Sequence, residues 1–268
     1  MKKYIIAKML NNSGIGKWVF SLVVLLIVSS LAHAQQDRNT TLIRSALNGF
    51  EYELKCGINI GGTSPIPLPA EIRAIKGYSP RLALSIEGNM LKWFDPHWGM
   101  IVGLRLENKG MTADARVKNY SMEMTEKDGG FVKGMWTGDI HTKVNNSYLS
   151  MPVLGVYKLS PRVRLKGGLF VGYLLEGNFS GTANNGYLRN GDPTGNKMEI
   201  DEAFYDFSEH LRKISWGAQL GGDWRAFKHF NVSADLTWGF NDIFKREFKT
   251  ITFSMYPIFL NVGFGYAF

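Results

Sequence analysis

The chain has 268 residues, with 31 basic and 23 acidic side chains, five histidines and a single cysteine, Cys56. One cysteine cannot form an internal disulfide, and beyond an N-terminal leader no apolar run is long enough for a spanning helix. Integral membrane structure would therefore have to be built from strands, because only helices and closed barrels satisfy every backbone group in lipid. Without the leader lysines Lys2, Lys3, Lys8 and Lys17, 27 basic residues face 23 acidic ones, so the net charge falls from +8 to +4, and no clustered basic face marks a nucleic-acid partner.

The leader ends in the apolar run Val19 to Ala34, closing on Ala32-His33-Ala34, a small-x-small cleavage pattern. Residues 1–34 are predicted to be a cleaved secretory signal. A spanning anchor would need about 20 apolar residues, whereas this run tails off into Ser29, Ser30 and His33. Residues 35–49 are polar and read as a periplasmic lead-in, and residues 50–268 as one folded domain.

Alternation begins at Phe50. Tyr52, Leu54, Cys56, Ile58 and Ile60 share one face with it, and Glu51, Glu53, Lys55, Gly57, Asn59 and Gly61 share the other. The segment from Gly62 to Pro80, with prolines at 65, 67, 69 and 80, is predicted to be loop, since proline lacks the ladder donor. Strand two, Arg81 to Trp93, turns through Phe94-Asp95-Pro96-His97 into strand three, Trp98 to Glu107. Asn108 to Asn146 is a polar excursion with a turn signal at Asp128-Gly129-Gly130, predicted to be a hairpin carried past the membrane. Strand four, Ser147 to Leu159, has two competing registers: Leu149, Met151, Val153 and Tyr157 against Pro152, Leu154 and Val156. Strand five, after Ser160-Pro161, places Val163, Leu165, Leu169, Val171, Tyr173 and Leu175 outward and Arg162, Arg164, Lys166, Phe170 and Glu176 inward. A second long excursion, Gly177 to Glu209, contains a stretch around Ile200, Ala203, Phe204, Phe207 and Leu211 that also fits a short helix. Strand six (Arg212 to Trp224), strand seven (around Val232 to Phe240) and strand eight (Tyr256 to Phe268) complete the chain.

Strand eight is the clearest, with seven apolar residues in steps of two ending on Phe268. Lipid explains such a face more simply than a soluble core. Connections alternate long and short, so with both termini on one side the short turns share that side and the long loops the other. The predicted fold is all-β: an eight-stranded transmembrane antiparallel up-and-down β-barrel with short periplasmic turns and long extracellular loops. Trp93, Phe94, Trp98, Trp224, Phe227, Phe230 and Phe268 are predicted to form a periplasmic aromatic girdle, and Trp238, Tyr148 and Tyr256 an outer one.

Eight strands leave a lumen that side chains fill, whereas wide channels need about 16. The inward charges Glu51, Glu53, Lys55, Glu87, Arg105, Glu107, Arg164, Lys166 and Asp235 are of both signs and are expected to pair into a plug. A narrow, porin-like ion path is the competing reading. The long loops carry Tyr120, Phe131, Trp136, Tyr187, Phe204 and Tyr205 among charges, suited either to surface recognition or to packing over the barrel mouth.

The segments GINIGGTSPIPLPAEIRAI, SYLSMPVLGVYKLSPR, NGYLRNGDPTGNK, YDFSEHLRKISWGAQLGGDWRAFKH and MYPIFLNVGFGYAF together resemble the PorT-like outer-membrane beta-barrel proteins of the Bacteroidota, small barrels of the OmpA/OmpX type. The resemblance implies a barrel in the cell outer membrane and, for some relatives, secretion-system assembly, but no shared catalytic motif. Expected partners are outer-membrane lipid or lipopolysaccharide, the barrel-assembly machinery through the C-terminal strand, and envelope or secretion-system proteins. A lipid-modifying enzyme would need a histidine with a serine and a carboxylate. His141 and His210, with Ser147, Ser208 or Ser215 nearby in sequence, are the candidates, and no nucleophile motif surrounds those serines. The run Asp201, Glu202, Asp206, Glu209 lacks calcium-loop spacing and reads as a solvated face. The expectation is a structural, assembly or recognition barrel with no catalytic residue, no metal and no cofactor.

Overall fold

The structure, a computed structural model, describes residues 49–126 and 130–268. The predicted signal, the lead-in up to residue 48 and the Asp128-Gly129 turn signal lie outside the described residues.

Among the described residues ten strands form one antiparallel sheet: β1 (Phe50–Pro65), β2 (Ile72–Pro80), β3 (Leu84–Trp93), β4 (Trp98–Glu126), β5 (Phe131–Lys158), β6 (Val163–Asn190), β7 (Lys197–Asp206), β8 (Ile214–Arg225), β9 (Phe230–Gly239) and β10 (Met255–Ala267). Eight of them close a ring in the order β1, β3, β4, β5, β6, β8, β9, β10, and β10 returns to β1 from Glu53↔Ala267 to Pro65↔Met255. These are the eight strands expected from the sequence. Closure leaves the lower part of the ring without an edge.

The expected count of eight is corrected to ten by β2 and β7, which lie on the loop side of the ring. β2 occupies part of the segment expected to be loop, and β1 runs on to Pro65. Proline does not forbid this, because Pro65 and Pro80 end their strands and β2 is an edge strand paired only with β4. β7 replaces the short helix. Ala203, Tyr205 and Phe207 are buried while Phe204 is exposed, so a period of two prevails, and only Ser208–His210 forms a helical turn.

The register of β5 is settled, with Leu149, Met151 and Val153 outward and Pro152, Leu154 and Val156 inward. Glu176 is exposed, not inward, because the ladder slips between Ser147 and Tyr148, which pair with Glu176 and Leu174 and leave Leu175 as the extra residue.

Around the lower ring, outward side chains are apolar and open: Leu104, Leu169, Leu220 and Phe264 are each more than half exposed. Above it, β4, β5 and β6 continue as a collar with the polarity of the wall reversed. Along β4 the outward Thr112, Asp114, Arg116 and Lys118 are polar, while Met111, Ala115 and Val117 are buried inside. A bulge at Asn119, with φ of 53°, then shifts the buried set to Tyr120, Met122 and Met124. β7 runs back along β6 and touches the tip of β4 at Thr125↔Phe204, so β4 to β7 curl round a dry core that includes Trp136, Leu188, Ile200 and Ala203.

Candidate functional site: a charged lumen beneath an apolar collar

Among the described residues ten charged side chains are buried in the lumen: the cations Lys55, Arg105, Lys109, Arg164 and Lys166 and the anions Glu53, Glu87, Glu107, Asp223 and Asp235. Five of each sign make the set neutral. They form one unbranched row in strict alternation. Starting at the short-turn end, Glu53 meets Arg164 at 3.4 Å, Arg164 meets Asp223 at 3.1 Å, and Lys166 bridges Asp223 at 2.6 Å and Asp235 at 2.9 Å. Lys55 links Asp235 at 2.7 Å to Glu87 at 3.7 Å. Glu87 pairs with Arg105, which reaches Glu107 at 3.8 Å, and Glu107 holds Lys109 at 3.1 Å.

Neutral groups tie the row to the wall. Asn231 donates to Glu53, Gln219 accepts from Arg105 at 2.9 Å, and Ser150 donates to Glu107 at 2.7 Å. The strand pattern makes this possible because each lumen-facing position is two residues from the next, and neighbouring strands bring opposite signs level, as at Lys55↔Glu87 and Glu87↔Arg105.

Both ends of the row are closed by apolar groups. At the turn end Leu91, Ile101, Leu154 and Val156 pack together with Trp93. Trp93 is thereby corrected from the girdle to the lumen: it shares the inward phase of Leu91, and its indole donates to Glu51 at 3.0 Å. Glu51 is half-buried at that end and touches the plug, not the row. At the other end the Lys109 ammonium lies over the rings of Tyr148, Phe170 and Phe259 at 5.3–5.7 Å. Tyr148 is accordingly inside and does not belong to an outer girdle. Phe94, Trp98, Trp224, Phe227, Phe230 and Phe268 are exposed at the turn end, and Trp216, Trp238 and Phe240 form an exposed cluster towards the loop end.

Two members of the row, Lys109 and Asp223, are absent from the charge set predicted from the sequence. Asp223 was legible as an inward residue of its strand, but Lys109 fell in the polar excursion read as a hairpin beyond the membrane, past the end of strand three.

The six loop aromatics separate by strand phase. Tyr120, Trp136 and Tyr205 are buried in the collar core and are corrected from surface recognition to packing. Burial pushes the hydroxyl pKa of Tyr120 and Tyr205 up. Phe131 and Phe204 are exposed, and Tyr187 is half-buried beneath Arg189 and Lys197.

His141 pairs with Asp114 directly across the β4–β5 ladder, on the outer side of the collar, and His210 stacks on Phe248 at 4.5 Å. Ser147 accepts from Asn108 and Ser208 donates to Asp206, while Ser215 is buried in β8. Among the described residues no serine is hydrogen-bonded to either histidine, so no nucleophile–base pair is assembled there. Nor, among those residues, is any group of three or more His, Cys, Asp or Glu side chains placed to hold a metal ion.

No curated protein matches the chain in sequence. Among solved structures it is similar to Ail, the attachment invasion locus protein of Yersinia pestis, at 14% identity over 82% of this chain and 99% of that one, with a TM-score of 0.39. It is also similar to OprG of Pseudomonas aeruginosa, at 15% identity over 81% and 95% with a TM-score of 0.32. The outer membrane protease OmpT of Escherichia coli is similar at 12% identity over 82% and 97%, with a TM-score of 0.33. The family model of the outer membrane protein beta-barrel domain matches residues 33–245, most of the ring and the collar, and the chain therefore belongs to that family of outer-membrane barrels.

Proposed function

We propose that this protein is a closed, non-conducting barrel that carries a raised β-collar on the extracellular side as a platform for structural, assembly or recognition contacts. The observation behind this reading is the unbranched row of ten alternating charges, stoppered by Trp93 at one end and by aromatic rings around Lys109 at the other. Partnered ions in a lumen of this width leave no polar lane for a hydrated ion. The exposed Phe131 and Phe204 on the collar, with the half-buried Tyr187, are the contact residues in this reading. The resemblance to PorT-like barrels favours an envelope or secretion-system protein as partner, with outer-membrane lipid or lipopolysaccharide around the belt and the assembly machinery reading β10.

Planar-bilayer recording of the refolded protein tests closure. No unitary steps are expected, and reproducible single-channel steps would replace the plugged barrel by a narrow pore. Crosslinking in native outer membranes tests the platform: neighbours captured through the collar are expected to be lost when Phe131 and Phe204 are both changed to serine, with the barrel itself unaltered.

A further inference from the structure

The ring is not sealed to its full height. β1 is paired with β3 as far as Ile58↔Leu84, one further bond runs from Asn59 N to Ala83 O at 2.7 Å, and above that point β2 takes the place beside β4. β2 does not pair with β1. Upper β1, from Ile60 to Pro65, and β2 therefore present facing edges. Among the described residues a single hydrogen bond spans them, from Tyr78 Oη to Gly61 O at 2.6 Å. Gly61, at a φ of 153°, leaves no room for a Cβ against the backbone of Ile258 and Phe259, so a side chain is excluded where the seam begins.

Behind the seam lies a chamber of about 310 Å³, within the collar and above the Lys109 plug. That volume falls at the small end of the range for ligand pockets, about 300–1,000 Å³. Met111, Ala115, Ile140, Phe179, Phe253 and Met255 line its depth, Tyr120 and Thr142 supply hydroxyls, and no charged side chain lines it. Thr142 is already engaged with Tyr205 at 2.6 Å. Since the lumen is closed beneath, the chamber is a blind end that opens through the seam.

The approach to the seam is apolar and starts at the membrane-facing belt. Ile60, Leu82 and Leu84 are exposed at its foot, with Leu82 at 81%, and Ile75, Tyr78 and Leu68 are exposed along its lips. The lip that carries β2 is also basic. Between residues 71 and 81 it holds Arg73 and Arg81 against Glu71, while Lys76 is paired with Asp139 of β5 at 2.7 Å. An apolar blind chamber, an apolar approach and a basic rim match one kind of ligand, an anionic amphiphile with an alkyl tail.

We propose that the β1–β2 seam admits the alkyl tail of such an amphiphile, a free fatty acid or an acyl chain of an anionic outer-leaflet lipid, into the collar chamber, while the head stays at the basic lip. This assignment concerns the seam alone and stands whether or not the collar recognises a protein.

The test is photolabelling of the full barrel in nanodiscs, with sites read by mass spectrometry. Two probes are used, lauric acid with a terminal diazirine and phosphatidylglycerol with the diazirine at the end of one acyl chain. Label is expected on peptides containing Met111, Phe253 or Met255 as well as on belt peptides around Leu220. Ala115→Trp, which fills the chamber, should reduce the chamber label at least tenfold and leave the belt label unchanged. Ala113→Phe serves the same purpose if Ala115→Trp loses the heat-modifiable gel mobility of a folded barrel. Chamber label from the fatty-acid probe alone identifies a free amphiphile, and chamber label from the phospholipid identifies the leaflet as source. Belt label without chamber label from either probe overturns the proposal, as does chamber label that survives filling.

Discussion

The lower ring and the collar share strands β4, β5 and β6 but have opposite polarity, and the contrast shows what sets the polarity of a β-wall. In the ring, Leu104 and Leu220 face out while Arg105 and Gln219 face in. In the collar, Asp114 and Arg116 face out and Met111 and Val117 face in. The pleat is common to both, so only the surroundings differ: hydrocarbon outside the ring, water outside the collar. The ring must therefore satisfy charges internally, and it does so by pairing. The collar is an ordinary dry core, held by burial of Trp136, Met122 and their neighbours.

The sharpest way to break this contrast is to remove a charge from the ring. Asp235 contacts Lys55 and Lys166, so Asp235→Ala leaves two buried ammonium groups short of a partner, and a loss of about 3–5 kcal/mol is expected for breaking a buried pair. Urea unfolding in lipid vesicles followed by tryptophan fluorescence measures it. In the collar, Met122→Ala removes a core side chain and should cost about 2–5 kcal/mol. That loss should appear as faster hydrogen exchange at the tips of β4 and β5, with the ring amides unaffected. An outward arginine separates the two surroundings directly. Leu220→Arg, if at mid-belt, should cost about 2–4 kcal/mol, and Thr182→Arg on the collar should change stability by less than about 0.5 kcal/mol. Equal effects at the two positions would remove lipid as the cause of the reversal.

The smallest expected effect concerns the edge strand β2. Asp139 accepts a hydrogen bond from Lys76 at 2.7 Å, with Arg116 nearby, and these hold its carboxyl pKa below the ordinary value. A lowered folded pKa means that the contact contributes in full above the unfolded carboxylate pKa of about 3.9 and fades as pH falls through the folded value. Exchange of β2 amides, corrected for intrinsic rate, should therefore be flat from pH 7 to about 5 and rise below about 4. Lys76→Met should flatten the profile.

The ring was legible because a period of two with one apolar face is visible residue by residue, as from Tyr256 to Phe268. The collar was not, for a physical reason. Expecting lipid on the apolar side ends strand three at Glu107, where the outward residues turn polar. Yet from Met111 to Lys118 the same alternation continues with polarity exchanged: Met111, Ala113, Ala115 and Val117 against Thr112, Asp114, Arg116 and Lys118. Following the period rather than the side would have carried β4 on through Lys109 and completed the charge row. Bulges such as the one at Asn119 then shift the phase, which a fixed count of two cannot follow. β2 was hidden by the prolines around it, Pro65, Pro67 and Pro69 before the strand and Pro80 at its end, since a proline at a strand end or on an edge strand does not forbid pairing.

The alternating row has an implication for how such a lumen can drift. Each of its eight inner members touches two opposite charges, so a solitary replacement anywhere between Arg164 and Glu107 leaves the neighbour on either side one partner short. Divergence there is expected to move by compensated exchanges, in which Lys166 and Asp235, for example, give way together to a neutral couple while the ring around them keeps its shape.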